Sequence, residues 1–188
     1  TPKVITGGEA GTYSLSFDGV NDYATTIVPS STLFTNGANH TLELWYKTST
    51  THAYQIEIIG DYDRQSTGCP NGCETVSIRL LGEADGSDAG KIKALSHTST
   101  SKVNDGEWHH IAQVYDLTNM RTYLFIDGAK EGESMLTSGK NFGNTTNEFH
   151  VSGGMKRIIA TTRYNAGIVN IVRVSDVARY TASFTPAL

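Results

Sequence analysis

The chain has 188 residues, 38% hydrophobic and 18% charged, with a formal net charge of −4. That balance excludes an intrinsically disordered chain, and the lack of a basic excess argues against a nucleic-acid binder. No run approaches the ~18 apolar residues of a membrane-spanning helix. Thr, Ile and Val supply about a quarter of the chain, which suits pleated surfaces and argues for an all-β fold.

The predicted elements follow in chain order. Tyr13 to Phe17 alternates apolar and polar residues and runs into the turn Asp18-Gly19. Thr41 to Lys47 alternates again, and Tyr54 to Ile59 is an apolar-rich strand ending at Gly60-Asp61. Glu74 to Leu81 and Lys91 to His97 flank a polar loop, Gly82 to Gly90. Trp108 to Asp116 and Arg121 to Ile126 are strands, and Asp127-Gly128 after the latter is a two-residue hairpin signal leading into a polar strand. Glu148 to Ser152 and Gly167 to Val174 complete the set, with one short helical turn expected at Asp176 to Tyr180. Turn signals recur about every 10 residues, the spacing of a sandwich or barrel. With no linker, low-complexity tract or repeat, residues 1–188 read as one domain. The opening Thr1-Pro2-Lys3-Val4 lacks an initiator Met and a signal peptide, so the chain reads as one module of a longer protein.

The two cysteines stand in Cys69-Pro-Asn-Gly-Cys73. Zinc wants four ligands, and no second Cys/His pair is placed to complete a site. Pro70, Asn71 and Gly72 are turn formers, so the simplest reading is a disulfide that stiffens a loop tip, with two free thiols as the alternative. A persistent disulfide implies an oxidising compartment, hence an extracellular, secreted or surface location.

Five stretches in order carry a family resemblance: Leu15-Ser-Phe-Asp-Gly-Val-Asn-Asp-Tyr23, Thr41-Leu-Glu-Leu-Trp-Tyr-Lys47, Asn104-Asp-Gly-Glu-Trp-His-His-Ile-Ala-Gln-Val-Tyr115, Tyr123-Leu-Phe-Ile-Asp-Gly128, and Gly167 to Val174 followed by Ala178 to Pro186. Together they resemble the laminin-G-like jelly rolls of the concanavalin A-like lectin/glucanase superfamily. The resemblance implies an all-β, two-sheet antiparallel jelly-roll sandwich, in keeping with the alternating strands and tight turns. On this reading Trp45 and Trp108 are core anchors. His109 and His110 are neighbours on a strand, point to opposite faces and cannot chelate one ion together.

Related glucanases carry carboxylates at alternating strand positions, which sets nucleophile and acid on one face. The nearest match here, Glu83-Ala-Asp85-Gly-Ser-Asp88, reads as a turn, and Glu57 is alone in its strand. No nucleophile elbow, phosphate loop or H-E-x-x-H motif is present, so no enzymatic activity is expected.

The resemblance implies a structural Ca²⁺ joining the first and last strands, at positions matching Asp18 and Asn170, with Asp22 as a nearby alternative. A turn at Asp18-Gly19 is the competing explanation. A second ligand-type calcium would need acids between residues 152 and 170, where the chain has none. That stretch is basic instead. From residue 149 onward there are five basic residues and one acid, against ten basic and eighteen acidic residues before it.

Lys156, Arg157, Arg163 and Tyr164 fall on one expected loop, with bidentate donors and a flat ring for an acidic or sulfated glycan. A solvated basic loop is the alternative. Tyr62, Arg64 and Gln65, leading into the cysteine loop, form a second recognition candidate. Two sequons, Asn39-His-Thr41 and Asn144-Thr-Thr146, matter only in a glycosylating host. The leading expectation is a non-catalytic, lectin-like carbohydrate-binding module for a polysaccharide or glycan, linked to neighbouring domains of a secreted enzyme or surface adhesin. A viral or phage receptor-binding module and a protein–protein interaction domain are the alternatives, because fold alone does not set function.

Overall fold

The computed structural model describes residues 1–9, 11, 13–35, 37–61, 76–136, 148–152 and 163–187. Their strands are β1 (Lys3–Thr6), β2 (Tyr13–Asp18), β3 (Ala24–Pro29), β4 (His40–Lys47), β5 (Ile56–Gly60), β6 (Ser77–Leu80), β7 (Lys91–Ala94), β8 (His97–Lys102), β9 (Trp108–Asp116), β10 (Arg121–Ile126), β11 (Ala129–Met135), β12 (Glu148–Val151) and β13 (Ala166–Ser175). A one-turn helix α1 (Ser30–Leu33) and a 3₁₀ turn over Glu83–Asp88 interrupt them. The strands form two antiparallel sheets. One has seven strands in the order β1-β2-β13-β4-β9-β10-β11, and the other has six in the order β3-β12-β5-β6-β7-β8.

Strand alternation builds the sandwich. Leu42, Leu44 and Tyr46 of β4 and Ile111 and Tyr115 of β9 point inward from the seven-stranded sheet. They meet Ile56, Ile58, Ile78, Leu80 and Ile92 from the six-stranded sheet in one buried core. Each such side chain, fully buried, stabilises the fold by about 2 kcal/mol relative to exposure. Tyr46 is buried with its hydroxyl donating to Asn165 Oδ1 at 2.6 Å, which satisfies the one polar atom it brings inside.

After β13 the chain does not form the helical turn expected at Asp176 to Tyr180. It crosses the outward side of the seven-stranded sheet as an extended strap. The Thr41 hydroxyl donates to the Val177 carbonyl at 2.8 Å and accepts from Arg179 N at 3.0 Å. Ala178, Tyr180 and Phe184 then pack on Ala112, Val114, Tyr123 and Phe125. Alternate residues 178 and 180 face the sheet, so tertiary packing imposes a period of two where a helix needs 3.6.

Three further expectations change. Lys91 to His97 is two strands, because Leu95 takes a φ of +51° and turns the chain back. The edge strands β1 and β3 were not anticipated. Trp45 and Trp108 are not in the inter-sheet core: Leu44 and Tyr46 point inward, so Trp45 between them points outward, and Trp108 pairs with outward Lys47.

Candidate functional site

The two outward faces of the sandwich are built from the same alternation and end differently. On the six-stranded sheet, Ile56 pairs with Leu80 and Ile59 with Ile78, all inward. Glu57 and Arg79, paired between them, therefore face out. Arg79 directly opposes Lys93 on β7, Lys93 opposes Thr98 on β8, and Lys91 opposes Lys102. On β12 the buried Phe149 leaves Glu148 and His150 outward, with His150 opposite Thr25 of β3.

Rings and guanidinium groups stand along this face in two adjoining sets. The Arg163 guanidinium lies over the Tyr54 ring at 4.2 Å, and its Nη1 donates to the Gln55 carbonyl at 3.3 Å. Arg79 Nη1 donates to Gln55 Oε1 at 3.5 Å, so both arginines converge on one residue. Tyr164 stacks on Tyr23 with centroids 6.5 Å apart, and Tyr23 meets His150 edge-on at 6.4 Å. Tyr23 and Tyr54 remain about half exposed, at 50% and 53%.

Of the recognition residues read from the sequence, the structure brings Arg163 and Tyr164 to this face. Tyr62, Arg64, Gln65, Lys156, Arg157 and the Cys69–Cys73 pair lie outside the described residues. The residues bracketing 62–75 are tied together: Asp61 Oδ1 accepts from Val76 N at 3.0 Å, and Asp61 Oδ2 accepts from the Ser30 hydroxyl at 2.6 Å. Sequence reading missed Tyr23, Tyr54, Arg79, Lys93 and His150. The alternation in Lys91-Ile-Lys93 signals an outward basic pair. Which residues stand opposite it depends on register, which the local pattern does not carry.

The calcium set Asp18, Asp22 and Asn170 does not fit one ion. Asp18 is in register with Ala166, four residues before Asn170 on β13, a separation of about 13 Å along a strand. Asn170 is buried with its Nδ2 donating to the Tyr13 carbonyl at 2.7 Å. Asp18 Oδ1 accepts from Val20 N at 2.8 Å, the turn that competed with the metal. Asp22 is buried and paired with the Thr1 ammonium. Among the described residues no group of three or more His, Cys, Asp or Glu side chains is placed to hold a metal.

The outward face of the seven-stranded sheet is closed around Glu43, which is 4% exposed. His110 Nε2 donates to its Oε2 at 3.1 Å and the Tyr180 hydroxyl at 2.9 Å, while Arg179 Nε reaches its Oε1 at 3.0 Å and Arg173 Nη1 at 3.4 Å. Burial pushes the Glu43 carboxyl up, but the bonds from His110 and Tyr180 and the Arg173 charge outweigh it, and the group titrates below its ordinary value. His109 goes to other partners, as its position beside His110 requires. Asp127 at 2.8 Å and Asp105 at 3.0 Å raise it to about 9, the Asp127 bond contributing most. Both histidines are thus tied to carboxylates that hold the fold.

Comparison with known proteins agrees with this architecture. Residues 18–183 match the laminin-G-type family model described as the concanavalin A-like lectin/glucanases superfamily. No curated protein matches the chain. Among solved structures, the chain is similar to a candidate carbohydrate-binding protein of Bacteroides ovatus, with 19% identity, 88% of this chain and 44% of that chain covered, and a TM-score of 0.62. It is similar to domain 4 of an extracellular arabinanase from Geobacillus stearothermophilus, solved in complex with arabinotriose, with 16% identity, 95% and 76% coverage, and a TM-score of 0.62. Domains LG4-5 of the mouse laminin α1 chain give 12% identity, 94% and 46% coverage, and a TM-score of 0.62. At these identities the likeness establishes the fold alone, and the chain spans under half the length of the Bacteroides and laminin chains.

Proposed function

This chain belongs to the concanavalin A-like lectin/glucanases superfamily, and from that premise we propose that it is a non-catalytic carbohydrate-binding module of a secreted enzyme or surface adhesin. The ligand sits along the six-stranded sheet's outward face, between the Tyr54–Arg163 pair and the Tyr23–Tyr164–His150 group, which adjoin through the consecutive residues Arg163 and Tyr164. The observation that carries this reading is the pairing of half-exposed rings with a fixed guanidinium, Arg163 lying 4.2 Å over Tyr54. A sugar offers a C–H face that packs on a ring and hydroxyls that need planar, directed donors. Arg163 is already held by the Tyr54 ring and the Gln55 carbonyl, so little side-chain freedom is lost when a ligand arrives. The binding of arabinotriose by a structurally similar arabinanase domain supports the same ligand class.

Three of the described acids near this face hold local structure. Asp61 ties Val76 and Ser30, Asp85 Oδ2 accepts from Gly82 N at 2.9 Å, and Asp88 bonds Lys91 at 2.8 Å. Each is engaged in holding local structure rather than paired across a cleft as glycoside hydrolysis needs.

Affinity electrophoresis in gels carrying neutral and acidic polysaccharides tests the reading. Wild-type protein is expected to be retarded on at least one gel, and Tyr164→Ala and Tyr54→Ala to weaken that binding by about tenfold. Free migration on every polysaccharide overturns the assignment and leaves a protein-interaction surface. Retardation that both substitutions leave unchanged moves the site elsewhere on the chain.

A further inference from the structure

We propose that the ligand of this face is a polyanionic glycan that lies across β6, β7 and β8, with Lys93 and Lys102 as its principal cationic contacts. The inference rests on the carbohydrate-binding reading above and names the ligand class of that site. Two like-charged pairs stand directly opposite one another on neighbouring strands, Arg79 against Lys93 and Lys91 against Lys102. Like charges directly across a ladder oppose strand pairing. The fold therefore gains nothing from this arrangement, and two successive pairs on one face form a row.

Part of the row is compensated from within. Lys91 bonds Asp88 at 2.8 Å, and Arg79 stands between Glu57 and Lys93 while donating to Gln55. Among the described residues, the side chains of Lys93 and Lys102 have neither a hydrogen bond nor an ion pair. Thr98 lies opposite Lys93, and Thr100 is exposed two residues along β8, so hydroxyls flank the cations. Neighbouring strands are about 4.8 Å apart and residues two apart on a strand about 6.7 Å, so Arg79–Lys93 and Lys91–Lys102 form two adjacent rungs and the positive groups step diagonally from β6 to β8. Repeated steps suit a polymer with acids on successive sugars better than a single anion.

The row is continuous with the aromatic groups of the face. Arg79 and Arg163 both touch Gln55, so a chain crossing the lysines reaches Tyr54 and Arg163. With a net charge of −4, attraction for a polyanion is local to this face rather than a property of the whole chain. Rings and hydroxyls beside the cations favour a sugar polymer over an acidic peptide.

The test measures binding of the whole chain to polygalacturonate, alginate and dextran sulfate. Dextran and arabinan serve as neutral glycans, and polyglutamate and single-stranded DNA as non-glycan polyanions. The expected result is binding to at least one acidic glycan in preference to the neutral ones. That binding weakens about tenfold or more in Lys93→Glu/Lys102→Glu, is retained in Lys93→Arg/Lys102→Arg, and becomes less salt-dependent in the charge-reversed form. Melting curves confirm that each variant is folded. Binding of a neutral glycan that charge reversal leaves intact overturns the polyanion proposal while the carbohydrate reading stands. Silence on all glycans overturns both. Equal or tighter binding to polyglutamate or DNA overturns the glycan as ligand.

Discussion

The two outward faces of this sandwich carry similar kinds of residue and resolve them in opposite ways. On the seven-stranded sheet, the carboxylate of Glu43 is surrounded by His110, Tyr180, Arg173 and Arg179 and sealed under the strap of residues 178–184. On the six-stranded sheet, cations oppose cations and half-exposed rings edge the face. A charged cluster completed from within serves the fold. One left incomplete on a rigid sheet is available to a ligand, and this difference is what places the proposed site on the six-stranded sheet.

The comparison is broken most severely at Glu43. Glu43→Ala leaves His110 and two arginines without their acceptor beneath the strap and is expected to cost about 3 kcal/mol, read from urea unfolding. Acid does the same reversibly. Because the folded Glu43 carboxyl titrates below its ordinary 4.5, its contribution is present above that pH and lost as pH falls through the folded value. His109 sets the opposite limit. Raised to about 9, it contributes fully below its ordinary 6.5, and that contribution is lost as pH rises through about 9. A melting temperature measured from pH 3 to 10 should fall at both ends, and a flat acid limb would contradict the role given to Glu43.

Gly128→Val attacks the same seal from the hairpin side. Gly128 has a φ of +77°, and a Cβ there would overlap the Phe184 carbonyl. The hydrogen bond from Phe184 N to the Gly128 carbonyl, 2.9 Å, anchors the strap at this point. A loss of about 2 kcal/mol is expected, together with a change in near-ultraviolet circular dichroism from the stacked Tyr180 and Phe184. An unchanged spectrum would mean the strap does not depend on this contact.

Between the faces lies Gln113, fully buried, with no partner for Oε1 or Nε2 among the described residues. Gln113→Leu removes an unsatisfied amide at similar volume and should stabilise the protein by about 1 kcal/mol in the same urea assay. The smallest effect, again a gain, is expected on the open face. Lys93→Glu relieves the opposition to Arg79 and should raise stability by about 0.5 kcal/mol while weakening glycan binding. A stability loss there would show that Lys93 serves the fold.

Much of the fold was legible because its signal is local. The strands Trp108–Asp116 and Arg121–Ile126 were read with the bounds the structure shows, since long alternating runs ending in Asp127-Gly128 leave little freedom. The strap was not legible. Residues 176–180 look like a helical turn by composition, and only the Thr41 hydroxyl and the apolar patch on β9 and β10 hold them extended. Trp45 and Trp108 were misplaced for a related reason: an apolar ring suggests the core, yet strand parity sends both outward. Asp18 and Asn170 were expected to share an ion, but the register of β2 against β13 separates them. Arg163 and Tyr164 were singled out as candidates from residue type alone. Their partners Tyr54 and Tyr23 lie more than a hundred residues away in the chain and carry no local sign of the contact.

By itself the sequence determined the all-β class, most strand positions, the superfamily and the basic character of the segment that supplies Arg163. Those properties follow from periodicity, turn chemistry and composition, each readable within a few residues. Tertiary structure decided which carboxylate is sealed under the strap, which lysines face each other across β6, β7 and β8, and which rings meet along the sheet. These depend on register and on long-range packing, where a shift of one residue exchanges the faces of a strand.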